Sequence, residues 1–441
     1  MRRVPLSRGH WLLGHALDLR AAPHRFAADV ALRNGGMAEI RFLHRRLLVV
    51  SDGDVARHIL VTRAERYRRS FHYENPVLGN GLLSTDGPGW LKRRRQVGAA
   101  FRRETLERLV PVVVAETERL IERWSERMLA GEAIPLKAEM HRLAIRVIGR
   151  SLLSESVDEA KADELGALTT RTLRLVARRN TTLPRFPIWV PTSVNRGLLA
   201  SRASLEDFLR PIIASRRDAS PRGDLLDRLL AVRDPETGDA LSDAEVLDEA
   251  KTLFGAGYET TASALTWTLD LLARHPAAAD RLRAEATAQL GTGVPTFADL
   301  ARLPFLSSVI NESLRIFPPV YNLGRVNVES DEIDGHPVPR GRVAVISILG
   351  MHHDPRVWGD PEVFRPERFD GEWPSRWFMP FATGQHVCIG NNFALTEMAV
   401  CLAMIVRNFE IRPADATPTE AIGAITLVPA REISVRLSPA A

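Results

Sequence analysis

Cysteine is scarce in this 441-residue chain, with Cys388 and Cys401 the only two. Two thiols thirteen positions apart exclude a disulfide framework and fit a reducing compartment. Long apolar runs are missing as well. The basic start Met1-Arg2-Arg3 leads only to the short patch Trp11-Leu12-Leu13 before His15, Asp18 and Arg20. Neither a signal peptide nor a spanning helix is expected, which points to a cytoplasmic protein without a membrane anchor. There is no internal repeat, low-complexity tract or obvious linker, so a single domain over 1–441 is expected. The composition, 45% hydrophobic and 26% charged, is that of a globular chain with a substantial core and excludes disorder. Among the 59 basic residues arginine greatly outnumbers lysine, and the net charge is +5. Acids are interleaved throughout, and no zinc-finger or helix-turn-helix signature accompanies the charge, so nucleic acid is not an expected partner.

What is present is mostly helical periodicity. Amphipathic stretches run over about 105–129, 137–153, 159–179, 197–217, 243–274, 276–290 and 391–407. Strand signals are few. Ala38 to Ile40 with Leu47 to Val50 reads as a hairpin, Val343 to Leu349 as a β-branched strand, and Ile425 to Val428 with Ile433 to Leu437 as a closing pair. The expected order is a β-containing N-terminal part over about 1–65, then a helical body with a C-terminal β return over 66–441. Two irregular segments, Tyr67 to Gly89 and Leu183 to Pro191, read either as plain connectors or as lids.

Four motifs carry chemistry. Phe381-Ala382-Thr383-Gly384-Gln385-His386-Val387-Cys388-Ile389-Gly390 sets one cysteine in a glycine-punctuated loop just before a helix-compatible run. A thiolate needs positive surroundings, which the helix N-terminus, His386 and backbone N–H groups supply. Gly384 and Gly390 let the backbone approach a flat cofactor. Taken alone, the loop also reads as a buried structural cysteine in a tight turn. In Leu253 to Thr261, Gly255 and Gly257 sit inside a helical pattern where each costs roughly 1 kcal/mol relative to alanine. Ala256, Gly257 and Thr260 share a face and make a shallow groove ending in a hydroxyl. The alternative is helix packing, with the threonine bonded back to its own turn. Glu312 and Arg315 stand three apart and can pair. Phe317-Pro318-Pro319 stops that helix, and Pro366-Glu367-Arg368-Phe369 follows about fifty residues on. Trp90 and Arg94 share one face of a helix that begins after Gly87-Pro88-Gly89.

Together these motifs resemble the cytochrome P450 superfamily, in its soluble bacterial type, over nearly the whole chain. The resemblance implies a mainly α fold with small β-sheets, and haem b (iron protoporphyrin IX) buried between the groove helix and the Cys-loop helix. Cys388 thiolate would be the axial ligand to the iron, in a loop shaped by Phe381, Gly384 and Gly390, with Ala256 and Gly257 beside the haem. Trp90, Arg94, Arg325 and His386 fall where propionate partners are expected, His386 replacing an arginine common in many members. Glu259 and Thr260 occupy the acid–alcohol positions that deliver protons to dioxygen. Glu312, Arg315 and Arg368 would form a buried structural ion cluster. Phe71, Leu78, Leu82, Phe254, Val320, Tyr321 and Asn322 are the expected lining of a mostly apolar substrate pocket, covered by the two irregular segments.

The implied activity is a monooxygenase that takes two electrons from a separate donor, a ferredoxin or flavodoxin with its reductase, and hydroxylates a hydrophobic molecule such as a terpenoid, fatty acid or polyketide. The haem supplies the oxidising chemistry, with the thiolate favouring O–O cleavage. The run Lys92-Arg93-Arg94-Arg95 with Arg102 and Arg103 reads either as a basic face for an acidic donor or as an ordinary solvated helix face. A peroxide-dependent haem enzyme is one alternative, against which the Glu259-Thr260 pair argues. A non-catalytic haem-binding or gas-sensing protein is the other.

Overall fold

A computed structural model of the chain describes residues 5–7, 9–43, 45–70, 75–154, 158–181, 186–217 and 219–440. Phe71 and the 183–185 end of the second irregular segment lie outside the described residues. The fold is mainly helical with small sheets, and the chain divides into two compact units. The first comprises Met1–Tyr73, Asn311–Cys388 and Ala421–Val428, the second Glu74–Ile310, Ile389–Glu420 and Pro429–Ala441.

The first unit is built on a five-stranded sheet in the order Met37–Phe42, Arg45–Val50, Val343–Ser347, Asn322–Asn327, Tyr67–Arg69. The hairpin pairs Met37 with Val50 and Ile40 with Leu47. Its second strand runs parallel to 343–347, with Leu47 opposite Val343. The β-branched run is shorter than its composition suggests. It leaves the sheet at Ser347, whose hydroxyl accepts the Gly350 N–H at 3.1 Å and caps a short helix, Ile348–His352. One face of the sheet buries Met37, Leu48, Val50, Leu323 and Ile346 together with Val55, Ile59, Met351 and Met379. The other packs Ala38, Ile40 and Val49 on Ala27, Val30 and Ala31 of helix Pro23–Arg33. Alternation with period two sorts these side chains to the two faces.

The second unit is a helical body. Helix Asp243–Arg274 starts at a capping box, in which the Ser242 hydroxyl accepts the Glu245 N–H and the Glu245 carboxylate accepts the Ser242 N–H at 2.8 Å. It is buried almost throughout and packs on helices Leu136–Leu153 and Asn391–Asn408. Helix Ser193–Arg217 begins four residues earlier than its periodicity suggests. The expected closing pair of strands does not form. Leu427–Pro429 pairs with Ala421–Gly423, while Ser434–Pro439 pairs with Phe409–Pro413 and Ile134–Pro135. Local β signals cannot tell adjacent strands from strands that take distant partners. Among the described residues no helix is long and apolar enough to cross a membrane.

Candidate active site

In the first unit the cysteine loop is pinned at both ends. Cys388 N–H donates to Phe381 O at 2.9 Å, and a single turn of 3₁₀-helix, Gly384–His386, fills the space between. Gly384 has φ +72°, and a β-carbon there would collide with the Leu60 carbonyl oxygen. Only glycine meets both demands. That carbonyl belongs to a π-helical turn, His58–Thr62, which follows helix Gly53–Arg57, capped by Asp52 through the Asp54 and Val55 N–H groups. Ala382, at φ +60°, adds a second left-handed residue to the loop. His386 is half-buried and the Cys388 side chain is exposed.

Behind the loop, Glu312 and Arg315 are both fully buried. Arg315 donates to Glu312 through Nε at 2.7 Å and Nη2 at 2.9 Å, and its Nη1 reaches His352 O at 2.8 Å. Glu312 also accepts Arg365 N–H at 2.9 Å and Arg368 Nε at 3.3 Å. Arg368 further binds the carbonyls of Trp358 and Asp360. His352, which the sequence reading passed over, joins this cluster to the loop. Its Nε2 accepts the Met379 N–H at 3.0 Å, and its ring stacks on Phe378 at 5.2 Å. Burial holds the imidazole well below its ordinary range, so the ring is neutral and free to accept. No signal beyond a histidine in an apolar run marks this residue in the sequence.

Arg325 is 3% exposed and donates to Gly324 O at 2.9 Å. No carboxylate among the described residues pairs with it. Tyr321 is a core residue instead of pocket lining. It packs with Leu349 and Leu427, and its hydroxyl donates to Ala424 O at 2.7 Å. Asn322 is likewise tied down, its amide reaching Pro23 O at 3.3 Å, while Val320 is 36% exposed.

In the second unit, helix 243–274 leaves Ala256 exposed and Gly255, Gly257 and Thr260 partly so, although nearly all its other residues between Val246 and Ala273 are buried. Gly257 faces Ile148 of helix 136–153, which closes that side of the groove. The Thr260 hydroxyl donates to Ala256 O at 2.9 Å, the helix-bonded arrangement weighed above as the alternative. Glu259 is buried, and its Oε2 lies 3.8 Å from Nε2 of His141, a second residue the sequence reading missed. Burial, then the nearby Lys137 charge, pulls the His141 imidazole down to about 4. Phe254 lies on another face of helix 243–274. It is 1% exposed and packs on Phe208 at 5.9 Å and Tyr258 at 5.8 Å. Two positions along a helix turn about 200°, so Phe254 faces away from Ala256.

Trp90 is held within the second unit. It is 2% exposed, and its only donor, the indole N–H, goes to Leu82 O at 3.1 Å, so that hydrogen is already committed to a backbone carbonyl. Arg94, one turn on, is half-buried. The basic run around it is largely neutralised. Lys92 pairs with Asp239 at 2.5 Å, Arg93 with Glu245 at 2.6 Å, Arg95 with Asp234 at 3.2 Å and Glu236 at 2.8 Å, and Arg103 with Glu107 at 2.9 Å. Arg102 is exposed, and Arg103 keeps 77% of its side chain exposed beside Glu107. Leu78 and Leu82 are buried, with Leu78 against Gly255.

The two thiols differ sharply. Cys401 is fully buried, and burial followed by the nearby Glu397 pushes its thiol far up, while its Sγ lies 3.3 Å from the Thr117 hydroxyl. It is held as a protonated core thiol. In the first unit, an exposed thiol in a glycine-pinned loop and a buried guanidinium with no carboxylate partner among the described residues suit an anionic, thiolate-ligated group, and haem fits these residues. They define a haem-thiolate class of protein.

The chain belongs to the cytochrome P450 family, whose family model matches residues 4–436. It is 33% identical over 416 residues to cyclooctat-9-en-7-ol 5-monooxygenase of Streptomyces melanosporofaciens, covering 92% of this chain and 89% of the relative. Cyclooctatin synthase of the same organism is 31% identical over 415 residues, with the same coverage. A cytokinin hydroxylase of Arabidopsis thaliana is 35% identical over 375 residues, covering 82% of this chain and 72% of the relative. The protein is thus a cytochrome P450 monooxygenase, an oxidoreductase that incorporates one atom of dioxygen and uses haem with a cysteine thiolate ligand.

Proposed function

We propose that this monooxygenase hydroxylates an apolar small molecule of terpenoid type, using electrons from a separate ferredoxin or flavodoxin and its reductase, with Cys388 as the axial thiolate. The observation that carries the assignment of the ligand is the contrast between the exposed Cys388 and the buried Cys401, whose thiol is pushed up and cannot readily ionise. When bound, haem supplies dioxygen activation and the oxidising power for an unactivated C–H bond. The chain's own residues bind, orient and move protons. Arg325, buried and with no carboxylate partner among the described residues, would take one propionate, and His386 of the first unit and Arg94 of the second are the further candidate donors of charge-assisted hydrogen bonds. Ala256 and the adjacent glycines keep helix 243–274 low enough for a small diatomic beside it. Thr260, at the end of that face, would release its bond to Ala256 O and present its hydroxyl, while the Glu259 carboxyl supplies the proton.

The 75–87 segment would lie over the pocket, with Leu78 and Leu82 as its apolar lining. The two Streptomyces relatives, whose names refer to cyclooctatin and to cyclooctat-9-en-7-ol, favour an apolar substrate over a polar one. The test is reconstitution with a bacterial ferredoxin and its reductase, a panel of cyclic terpene alcohols, fatty acids and polar controls, and paired measurement of product and hydrogen peroxide. Product should form from apolar compounds. Glu259→Gln and Thr260→Ala should each divert about tenfold more reducing equivalents to peroxide, in line with the loss of one proton-transfer group. Turnover of polar compounds alone, or unchanged peroxide in both variants, would overturn this reading.

A further inference from the structure

Asp248 and Glu249 stand about two turns before the Gly255–Gly257 face, and neither reads as chemistry in the sequence. Both hold the backbone of the 75–87 segment. Asp248 Oδ2 accepts Asn80 N–H at 2.9 Å, and Glu249 Oε2 accepts Leu82 N–H at 3.2 Å. The approach is so close that a β-carbon on Gly79 would collide with the Asp248 carboxylate, and one on Gly81 with the Thr252 hydroxyl. Arg93 closes the arrangement, binding Asn80 O, Glu245 at 2.6 Å and Glu249 at 3.5 Å, while Trp90 takes Leu82 O at 3.1 Å. Asp248 is in turn held by the buried Lys251 at 2.9 Å. Every one of these groups belongs to the second unit.

The geometry points to a carboxylate latch: Asp248 and Glu249 clamp the 79–82 backbone to helix 243–274, and Glu249 is the positioning residue that sets how Leu78 and Leu82 meet the substrate. This rests on the reading of the 75–87 segment as a lid over an apolar pocket. The two carboxylates are not equivalent. Asp248 pairs with Lys251 at 2.9 Å, whereas Glu249 is fully buried and faces Arg93 at 3.5 Å, with Asp248 and Glu245 on its own helix acting against that pair. Burial, opposed by the Leu82 N–H and then by Arg93, pushes the Glu249 carboxyl up to about 7. The sign follows by linkage. The latched state binds the Glu249 proton more tightly than an opened, hydrated state with an ordinary carboxyl, so latching is fully present at low pH and is lost as pH rises through about 7. With an open-state value near the ordinary 4.5, the opening constant rises about tenfold between pH 6 and pH 8.

Amide hydrogen exchange on the holoprotein tests the latch without a substrate. Glu249→Gln keeps a neutral oxygen for Leu82 N–H and cannot ionise, so exchange at Leu82 should be slower than in the wild type, and the wild-type-to-variant ratio should rise about tenfold between pH 6 and pH 8. Glu249→Ala removes the acceptor and should exchange fast at both pH values, and Gly81→Ala, which forces the segments apart, should do the same. Spectral titration with 1-phenylimidazole then reads positioning. Its apparent Kd should rise several-fold in Glu249→Ala and return to the wild-type value in Glu249→Gln. Wild-type protection at Leu82 in Glu249→Ala overturns the latch. Loss of protection with unchanged 1-phenylimidazole affinity overturns the positioning role. Absence of any spectral change in the wild-type protein would instead count against the haem-site reading and leave the exchange result to decide the latch.

Discussion

Replacing Arg315 with methionine removes one partner from a fully buried ion cluster. Glu312 then keeps its charge at 0% exposure and loses two of its four donors, the Nε and Nη2 contacts at 2.7 and 2.9 Å. Arg365 N–H and the longer Arg368 contact at 3.3 Å remain. His352 O also loses its donor, so both ends of the link to the cysteine loop are disturbed. Stranding one member of a buried pair costs about 3–5 kcal/mol, against a typical total stability of about 5–15 kcal/mol. The folded-to-unfolded ratio should therefore fall by about two to four orders of magnitude. Urea unfolding followed by far-ultraviolet circular dichroism gives the stability, and haem absorbance along the same curve reports the loop. Glu312→Leu combined with Arg315→Met should cost less than the two single changes added together, because no carboxylate is then left stranded. A loss below about 1 kcal/mol for Arg315→Met, or strict additivity of the pair, would refute the view that the cluster is held by mutual neutralisation.

Gly384→Ala meets a left-handed backbone and the Leu60 carbonyl at once, so it should lower haem retention and shift thermal unfolding down, whereas Gly390→Ala, which meets nothing within 4 Å, should be mild. His141 should stay neutral down to about pH 4 in a histidine NMR titration of the carbon monoxide-bound ferrous protein. Its folded value lies below the ordinary 6.5, so the unfolded chain gains the proton first, and about 3 kcal/mol of stability should disappear as pH falls from about 6.5 to about 4. His141→Phe should flatten that part of the stability curve, and an unchanged curve would contradict the shift. Asp239→Asn should leave Lys92 without its exposed partner and leave the urea midpoint unchanged within error, and a clear drop in the midpoint would contradict this.

Much of this arrangement was legible from residue spacing. Glu312 and Arg315 three apart, with Pro318-Pro319 behind them and Arg368 some fifty positions on, described a cluster that the packing assembles. Gly384 was read as a point of close approach to a flat cofactor, and the fold adds a left-handed backbone and the Leu60 carbonyl, both of which demand glycine. Other features were not legible because they depend on what a side chain meets across space. Phe254 shares a helical run with Ala256, but the 200° between them decides that it packs on Phe208 and Tyr258. The only donor of Trp90 was spent on Leu82 O, a partner that no spacing rule names. Tyr321 follows the Pro-Pro stop as a pocket residue might, yet its hydroxyl finds Ala424 O a hundred residues away. Asp248 and Glu249 look like any acidic pair near a helix start, and only the close approach of Gly79 and Gly81 gives them a backbone to hold.

The most direct test of the central claim is the absorption spectrum of the dithionite-reduced protein under carbon monoxide, taken for the wild type, Cys388→Ser and Cys401→Ser. The wild type and Cys401→Ser should both give the red-shifted Soret band of thiolate-ligated haem, and Cys388→Ser should lose it while retaining helical circular dichroism. A red-shifted band that survives in Cys388→Ser and disappears in Cys401→Ser would contradict the assignment of the axial ligand and the site built upon it.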